Sequence, residues 1–264
     1  METLPFLDWI TLRLPALALC MCRTSGFFLL SPLLGRRGVP NMVKAALCLL
    51  MSIIAVQVLP PAQSAIQWGG FSFFTQGAKE VVTGWVMGYG VSVLLSAILI
   101  AGQIMDMQVG FSMARMLDAQ AGVQAPVIGV LLNLSAVMLF LMTGGHERLI
   151  RMFYFSYEAI PLGGAVLGPQ LWQGLPGLFM EAFSLAVGIA LPIMLILLMT
   201  EIMMGLLARV VPQINFFVVG LPMKIMVGLL VLFAFIPVFV QMLPNLFDRI
   251  DVSTQGIMNQ LTGR

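Results

Sequence analysis

Residues 81–102 run through valine, leucine, isoleucine, glycine and serine without one charged side chain. A helix needs about 20 apolar residues to cross the hydrocarbon core of a bilayer. Only segments that satisfy their own backbone groups can sit there. This stretch is therefore either a membrane-spanning helix or a helix enclosed by other apolar helices. Five more windows share its character: 4–34, interrupted by Arg13 and Arg23; 42–59, which stops at Pro60 and Pro61; 126–143; 182–207, with Glu201 inside; and 215–243, with Lys224 inside. The chain is 60% hydrophobic and 9% charged, against roughly 45–50% and 25% in soluble domains. The expected fold class is all-α, built from membrane-associated helical hairpins.

The residue inventory excludes several function classes. His146 is the single histidine, so a histidine-rich metal site is not expected. The chain has no G-x-S-x-G turn, Walker A loop or G-x-G-x-x-G run, so neither catalysis nor a cofactor is expected. A net charge of +2, with charges scattered singly or in pairs, gives no footprint for nucleic acid. Cys20, Cys22 and Cys48 are an odd set, and C-x-C is too short for a zinc clip. They read as small apolar core residues. Glu2 and Asp8 lie where a secretory signal would carry positive charge, so the first segment reads as retained.

Arg13, Pro15, Arg23, Pro192, Glu201, Pro222, Lys224 and Pro237 lie inside the apolar windows. A charge at the bilayer centre costs several kcal/mol, but irregular or polar groups are tolerated against protein or a wet cavity. Snorkelling would account for Arg13 or Arg23 singly, and less well for Glu201 and Lys224. Residues 146–160 mix charge and aromatics at helical spacing, as an interfacial helix does. Residues 161–177 are rich in glycine and proline and read as a loop. Positive-inside counting favours a cytoplasmic 36–44 turn, which holds Arg36, Arg37 and Lys44.

Three constellations stand out. Gly84, Gly88, Ser92 and Ser96 recur every fourth residue and form a stripe of small side chains, along which two helix backbones can approach closely. The last two windows read as an antiparallel hairpin turning at Pro212 and Gln213. Glu201 and Lys224 lie equally far from that turn, roughly 17 Å at 1.5 Å per residue. They are expected to pair with each other or with a neighbouring subunit. The stretch QIMDMQVGFSMARMLDAQAGVQAP combines Asp106, Arg115 and Asp118 with Met105, Met107, Phe111, Met113 and Met116, and has flexible points at Gly110 and Gly122. Methionine adapts to variable shapes. The stretch reads either as a flexible seal or binding surface, or as a re-entrant connection packed on other helices.

The runs FFLLSPLLGRRGVPNMVKAALCLL, GQIMDMQVGFSMARMLDAQAGVQAPVIG and GLLARVVPQINFFVVGLPMKIMVGLLVL resemble, in this order, segments of the FliR family of flagellar and virulence type III export subunits. The resemblance covers essentially the whole chain and favours the flagellar type. It implies a FliP-like part over 1–181 fused to a FliQ-like hairpin and tail over 182–264. It implies one copy of this chain assembled with five FliP-like and four FliQ-like subunits around a channel for unfolded export substrates. The place is the bacterial inner membrane at the flagellar basal body, with lipid, FlhB-like and FlhA-like proteins as further partners. Much of the complex would stand above the lipid plane, so its charged helices would face other subunits. A plug loop maps onto 105–121. This makes Phe111, Met113 and Met116 the main seal candidates, with Met105, Met107 and Gly110 beside them. Arg209, Pro212 and Gln213 are the candidate FlhB-like contact. The rival reading is a small secondary transporter that couples ions through Glu201 or Asp106, although residues 1–130 and 131–264 show no clear internal repeat.

Overall fold

The computed structural model describes residues 4–31, 40–59, 70–112, 126–211, 213 and 216–262. Those residues form helices and short connections, with no strand among them. The helices are α1 (Leu4–Leu30), α2 (Asn41–Val58), α3 (Gly70–Val109), α4 (Val127–Met142), α5 (Gly145–Ala159), α6 (Pro169–Val210) and α7 (Phe216–Leu261). Five of them are long and apolar enough to cross a membrane, or six if α4 and α5, bent by 70°, form one broken span. Three of the helices, α3, α6 and α7, overrun their apolar windows. α3 begins at Gly70 rather than near Val81, and α7 continues to Leu261. The loop expected over 161–177 ends at Gly168, and Pro169 starts α6. Proline fits a first helical position, because no hydrogen-bond partner for its missing N–H is needed there.

The chain folds into two compact units that interleave in sequence. The first comprises Met1–Val93, His146–Phe179 and Arg249–Arg264; the second comprises Leu94–Gly145 and Met180–Asp248.

Within the first unit, α1 and α3 cross with their backbones in contact. A methyl group at Gly84 would overlap the Arg23 carbonyl, and one at Gly88 would lie 2.7 Å from the Phe27 carbonyl oxygen. From the other side, a methyl at Gly26 would meet the Val81 carbonyl and Trp85. The partner of the Gly84–Gly88 part of the small-residue stripe is thus α1 of the same chain. Ser92, next on the stripe, is half-buried. α1 also joins α2 through the buried hydroxyls of Thr24 and Ser52, 3.0 Å apart. Each hydroxyl is bonded back to its own helix, at the Cys20 and Cys48 carbonyls. At the end of α7, Leu246, Ile250, Thr254, Ile257 and Leu261 recur at helical spacing, and all are buried. In the first unit's share of that stripe, Thr254 fills the space left by Gly90.

Gly88→Leu is expected to unseat α1 from α3, since overpacking a filled site costs about 1–3 kcal/mol even when a few groups can shift. The obstacle here is backbone, so the thermal midpoint of the purified chain should fall clearly, and fall less for Gly88→Ala. A parental midpoint for Gly88→Leu would disprove this crossing.

Within the second unit, α3 and α4 cross at Gly102 and Gly129, where a methyl on Gly102 would overlap the Gly129 main chain. Ser96, the last member of the stripe, is half-buried here. Phe140 and Phe247 pack edge to face, with centroids 5.0 Å apart. Gly228 on α7 leaves room for Val109, whose methyl carbons would lie 2.8 and 2.9 Å from an added Cβ.

Candidate gate segment and the buried charges

The candidate gate begins where α3 stops. The Gly110 N–H donates to the Asp106 carbonyl at 3.2 Å. Gly110 has φ +98°, in the left-handed region that favours glycine and commonly ends helices. Phe111 and Ser112 follow, both half-buried. Met113 and Met116 lie outside the described residues. Met105 is fully buried in the core of the second unit, whereas Met107, two residues on, is 70% exposed. α3 therefore keeps Met105 as a packing residue and turns Met107 outward.

Asp106 is itself fully buried. Its Oδ1 accepts the Ile128 N–H at 3.1 Å. Ile128 is in the first turn of α4, where backbone N–H groups lack helical partners. The residue before that helix, Pro126, provides no side-chain cap.

On the α6–α7 hairpin, Lys224 Nζ lies 3.4 Å from Glu201 Oε2, with side-chain exposures of 20% and 58%. An ion pair this open contributes about 0–1 kcal/mol. Arg209 and Gln213 are exposed near the turn, and Pro212 is outside the described residues.

The first unit holds a charge cluster that sequence patterning left half-recognised. Arg23 is fully buried, and so is Glu80. Arg23 Nε donates to Glu80 Oε2, and Nη2 donates to Glu80 Oε1 at 3.0 Å and to the Ile160 carbonyl at 2.9 Å. Nη1 donates to the Ser156 carbonyl and hydroxyl at 3.1 and 3.2 Å. All five guanidinium N–H groups thus have acceptors. Glu80 Oε1 also accepts the Gly163 N–H at 2.7 Å. The guanidinium lies over the Tyr157 ring, 4.3 Å from its centroid. Arg23 was expected to face either protein or an interface; it faces protein. Glu80 was not singled out, because 57 residues separate it from Arg23 and no local pattern links them.

Among the described residues no three histidine, cysteine, aspartate or glutamate side chains gather as metal ligands. Cys20 is buried, and Cys22 and Cys48 are half-buried free thiols.

The profile of the family described as "Bacterial export proteins, family 1" matches residues 14–250. The flagellar biosynthetic protein FliR of Bacillus subtilis (strain 168) is 30% identical over 254 residues, which cover 94% of this chain and 96% of that protein. FliR of Escherichia coli (strain K12) is 28% identical over 88% of each chain. The surface presentation of antigens protein SpaR of Shigella flexneri is 29% identical over 59% of this chain and 60% of its own. The chain belongs to the FliR family of bacterial export proteins.

Proposed function

We propose that the chain is a core subunit of the flagellar type III protein export gate in the bacterial inner membrane. One copy would join five FliP-like and four FliQ-like subunits around a channel for unfolded substrates, with FlhB-like and FlhA-like proteins at the cytoplasmic side. The FliP-like part would be 1–181 and the FliQ-like hairpin 182–264. The observation that carries this reading is the family match across nearly the whole chain, with relatives named as flagellar biosynthetic proteins.

The surface chemistry is consistent with burial in a larger body. Met199, Met203 and Leu206 on α6, and Met226, Leu230 and Phe233 on α7, are all exposed. Contiguous apolar surface of this kind calls for lipid or protein cover.

The mechanism is gating. In the closed state Phe111, Met113 and Met116 would fill the bore, with Met107 beside them and Gly110 as the pivot. An apolar constriction stops ions because they cannot shed water there. An arriving substrate displaces soft methionine contacts that carry little specificity. Arg209, Pro212 and Gln213 at the hairpin turn would meet the FlhB-like partner.

The test is extraction in mild detergent of the tagged chain, expressed with its genomic neighbours, followed by native mass determination. A complex several times 28.7 kDa with one copy of this chain and several copies of other small membrane proteins is expected. A monomer or homodimer recovered despite those neighbours would overturn the assembly and favour solute transport through Glu201 or Asp106.

A further inference from the structure

We propose that a cleft between α2 and α5 binds a zwitterionic phospholipid of the phosphatidylethanolamine type. Its phosphate would sit on Arg151 and its ammonium on Glu158. The cleft has a volume of about 260 Å³ and lies within the first unit. Ala55 and Val58 of α2 form one side, and Phe155 of α5 forms the other. Val58 is 66% exposed and Phe155 50%, so the cleft opens to apolar surface. The Tyr154 hydroxyl donates to the Met51 carbonyl at 3.3 Å and ties the two helices together beside it.

Charge complementarity selects the occupant. Arg151 and Glu158 both line the cleft, and both are exposed. Their spacing of two helical turns puts them on one face of α5, roughly 10 Å apart at 1.5 Å per residue. Among the described residues neither side chain has an ion pair or hydrogen bond. Arg148, one turn before Arg151, is paired with Asp251 at 3.6 Å. Glu158 stands in the last turn of α5, which holds no basic residue. The carbonyl end of a helix favours cations, so a carboxylate there calls for a positive group. A primary ammonium supplies three donors to it. Arg151 offers the planar fork that suits phosphate. An anionic lipid would satisfy Arg151 but set its charge against Glu158. A headgroup that carries phosphate and ammonium satisfies both, with its first methylenes against Ala55, Val58 and Phe155. The mixed charged and aromatic face of α5 is that of an interfacial helix, which lies at headgroup level.

The test uses the full chain in the assembly that mild detergent recovers, stripped of lipid and titrated with phosphatidylethanolamine or phosphatidylglycerol of equal chain length. Native mass spectrometry reads the lipid bound, and the site is the difference between parent and variants. The parent is expected to hold one more phosphatidylethanolamine per copy of this chain than Arg151→Gln does, and to prefer it several-fold over phosphatidylglycerol. Arg151→Lys keeps the charge but not the fork, and should retain part of the binding. Glu158→Lys should reverse the preference towards phosphatidylglycerol, because two cations then face the headgroup. A misfolded chain would not produce that reversal. Glycerophosphoethanolamine, the headgroup without acyl chains, should fail to displace the lipid at equal concentration.

Val58→Trp obstructs the cleft from α2 without touching either charge, and should lower lipid binding several-fold. Positions 58, 151 and 158 are exposed, so the thermal midpoints of these variants without lipid should stay near the parent's. Equal lipid retention by the parent and Arg151→Gln would overturn the site. It would also mean, in an assembled complex, that a neighbouring subunit covers the cleft. An unchanged preference in Glu158→Lys would overturn the ammonium contact, and with it the choice of headgroup. Displacement by glycerophosphoethanolamine alone would reduce the cleft to a site for soluble phosphate compounds. None of these results depends on whether the chain seals a pore.

Discussion

Deleting residues 111–116 is expected to make the membrane leak small ions several-fold faster than with the parent chain, while substrate export continues in part. The deletion removes Phe111, Met113 and Met116 but spares Gly110, so the end of α3 keeps its left-handed residue and its bond to Asp106. The connection from Gly110 to Pro126 retains residues 117–125. At about 3.3–3.6 Å per extended residue these can reach roughly 30 Å. Both ends bond to the same residue, Asp106, so the shortened connection closes without strain and α3 and α4 keep their crossing. What disappears is apolar bulk. An ion kept out by a dewetted constriction then meets a wet path. Dye release from vesicles carrying the complex, read beside secretion of a flagellar substrate, checks both halves. A tight membrane with normal secretion would remove residues 111–116 from the seal.

The apolar hairpins were legible because a lipid-length hydropathy window needs no tertiary information. The ends of the helices were not, and the reason differs at each. α3 was cut short near Val81 because Gln76, Lys79 and Glu80 interrupt the apolar run. The helix continues because Glu80 finds Arg23 and Gly163 inside the first unit. α7 was cut short at Leu243 because its continuation is polar on average. The buried residues from Leu246 to Leu261 nevertheless keep a helical period, and testing for that period rather than for mean hydropathy would have found them. The family resemblance located the gate segment, but only the structure separates Met105, a core residue, from the exposed Met107 on the same helix. The small-residue stripe announced a close crossing without saying with what. Its partner, α1, presents Gly26, and a lone glycine in another window carries no such signal.

Arg23→Met and Glu80→Gln should each destabilise the chain by about 3–5 kcal/mol, because either change leaves one buried charge without its counterpart. At about 2–4 °C per kcal/mol for a chain of this size, the thermal midpoint in detergent should fall by roughly 6–20 °C. The double variant Arg23→Met/Glu80→Met separates two views of the cluster. A plain buried ion pair can often be replaced by apolar side chains of similar volume at little cost. Arg23 and Glu80 do more than pair. Arg23 holds the Ser156 and Ile160 carbonyls at the end of α5, and Glu80 holds the Gly163 N–H in the connection that follows. The double variant removes both charges but takes the side-chain partners from the Ile160 carbonyl and the Gly163 N–H, while the Ser156 carbonyl keeps the Ile160 N–H, and each unsatisfied buried group costs about 1–3 kcal/mol. The double variant should therefore stay well below the parent. Recovery to the parental midpoint would reduce the cluster to an ion pair. A parental midpoint in Arg23→Met alone would mean that Arg23 is not enclosed by these partners. The loss expected in all three variants follows from Arg23 and Glu80 completing the backbone hydrogen bonds where α5 ends, a service that no apolar pair can provide.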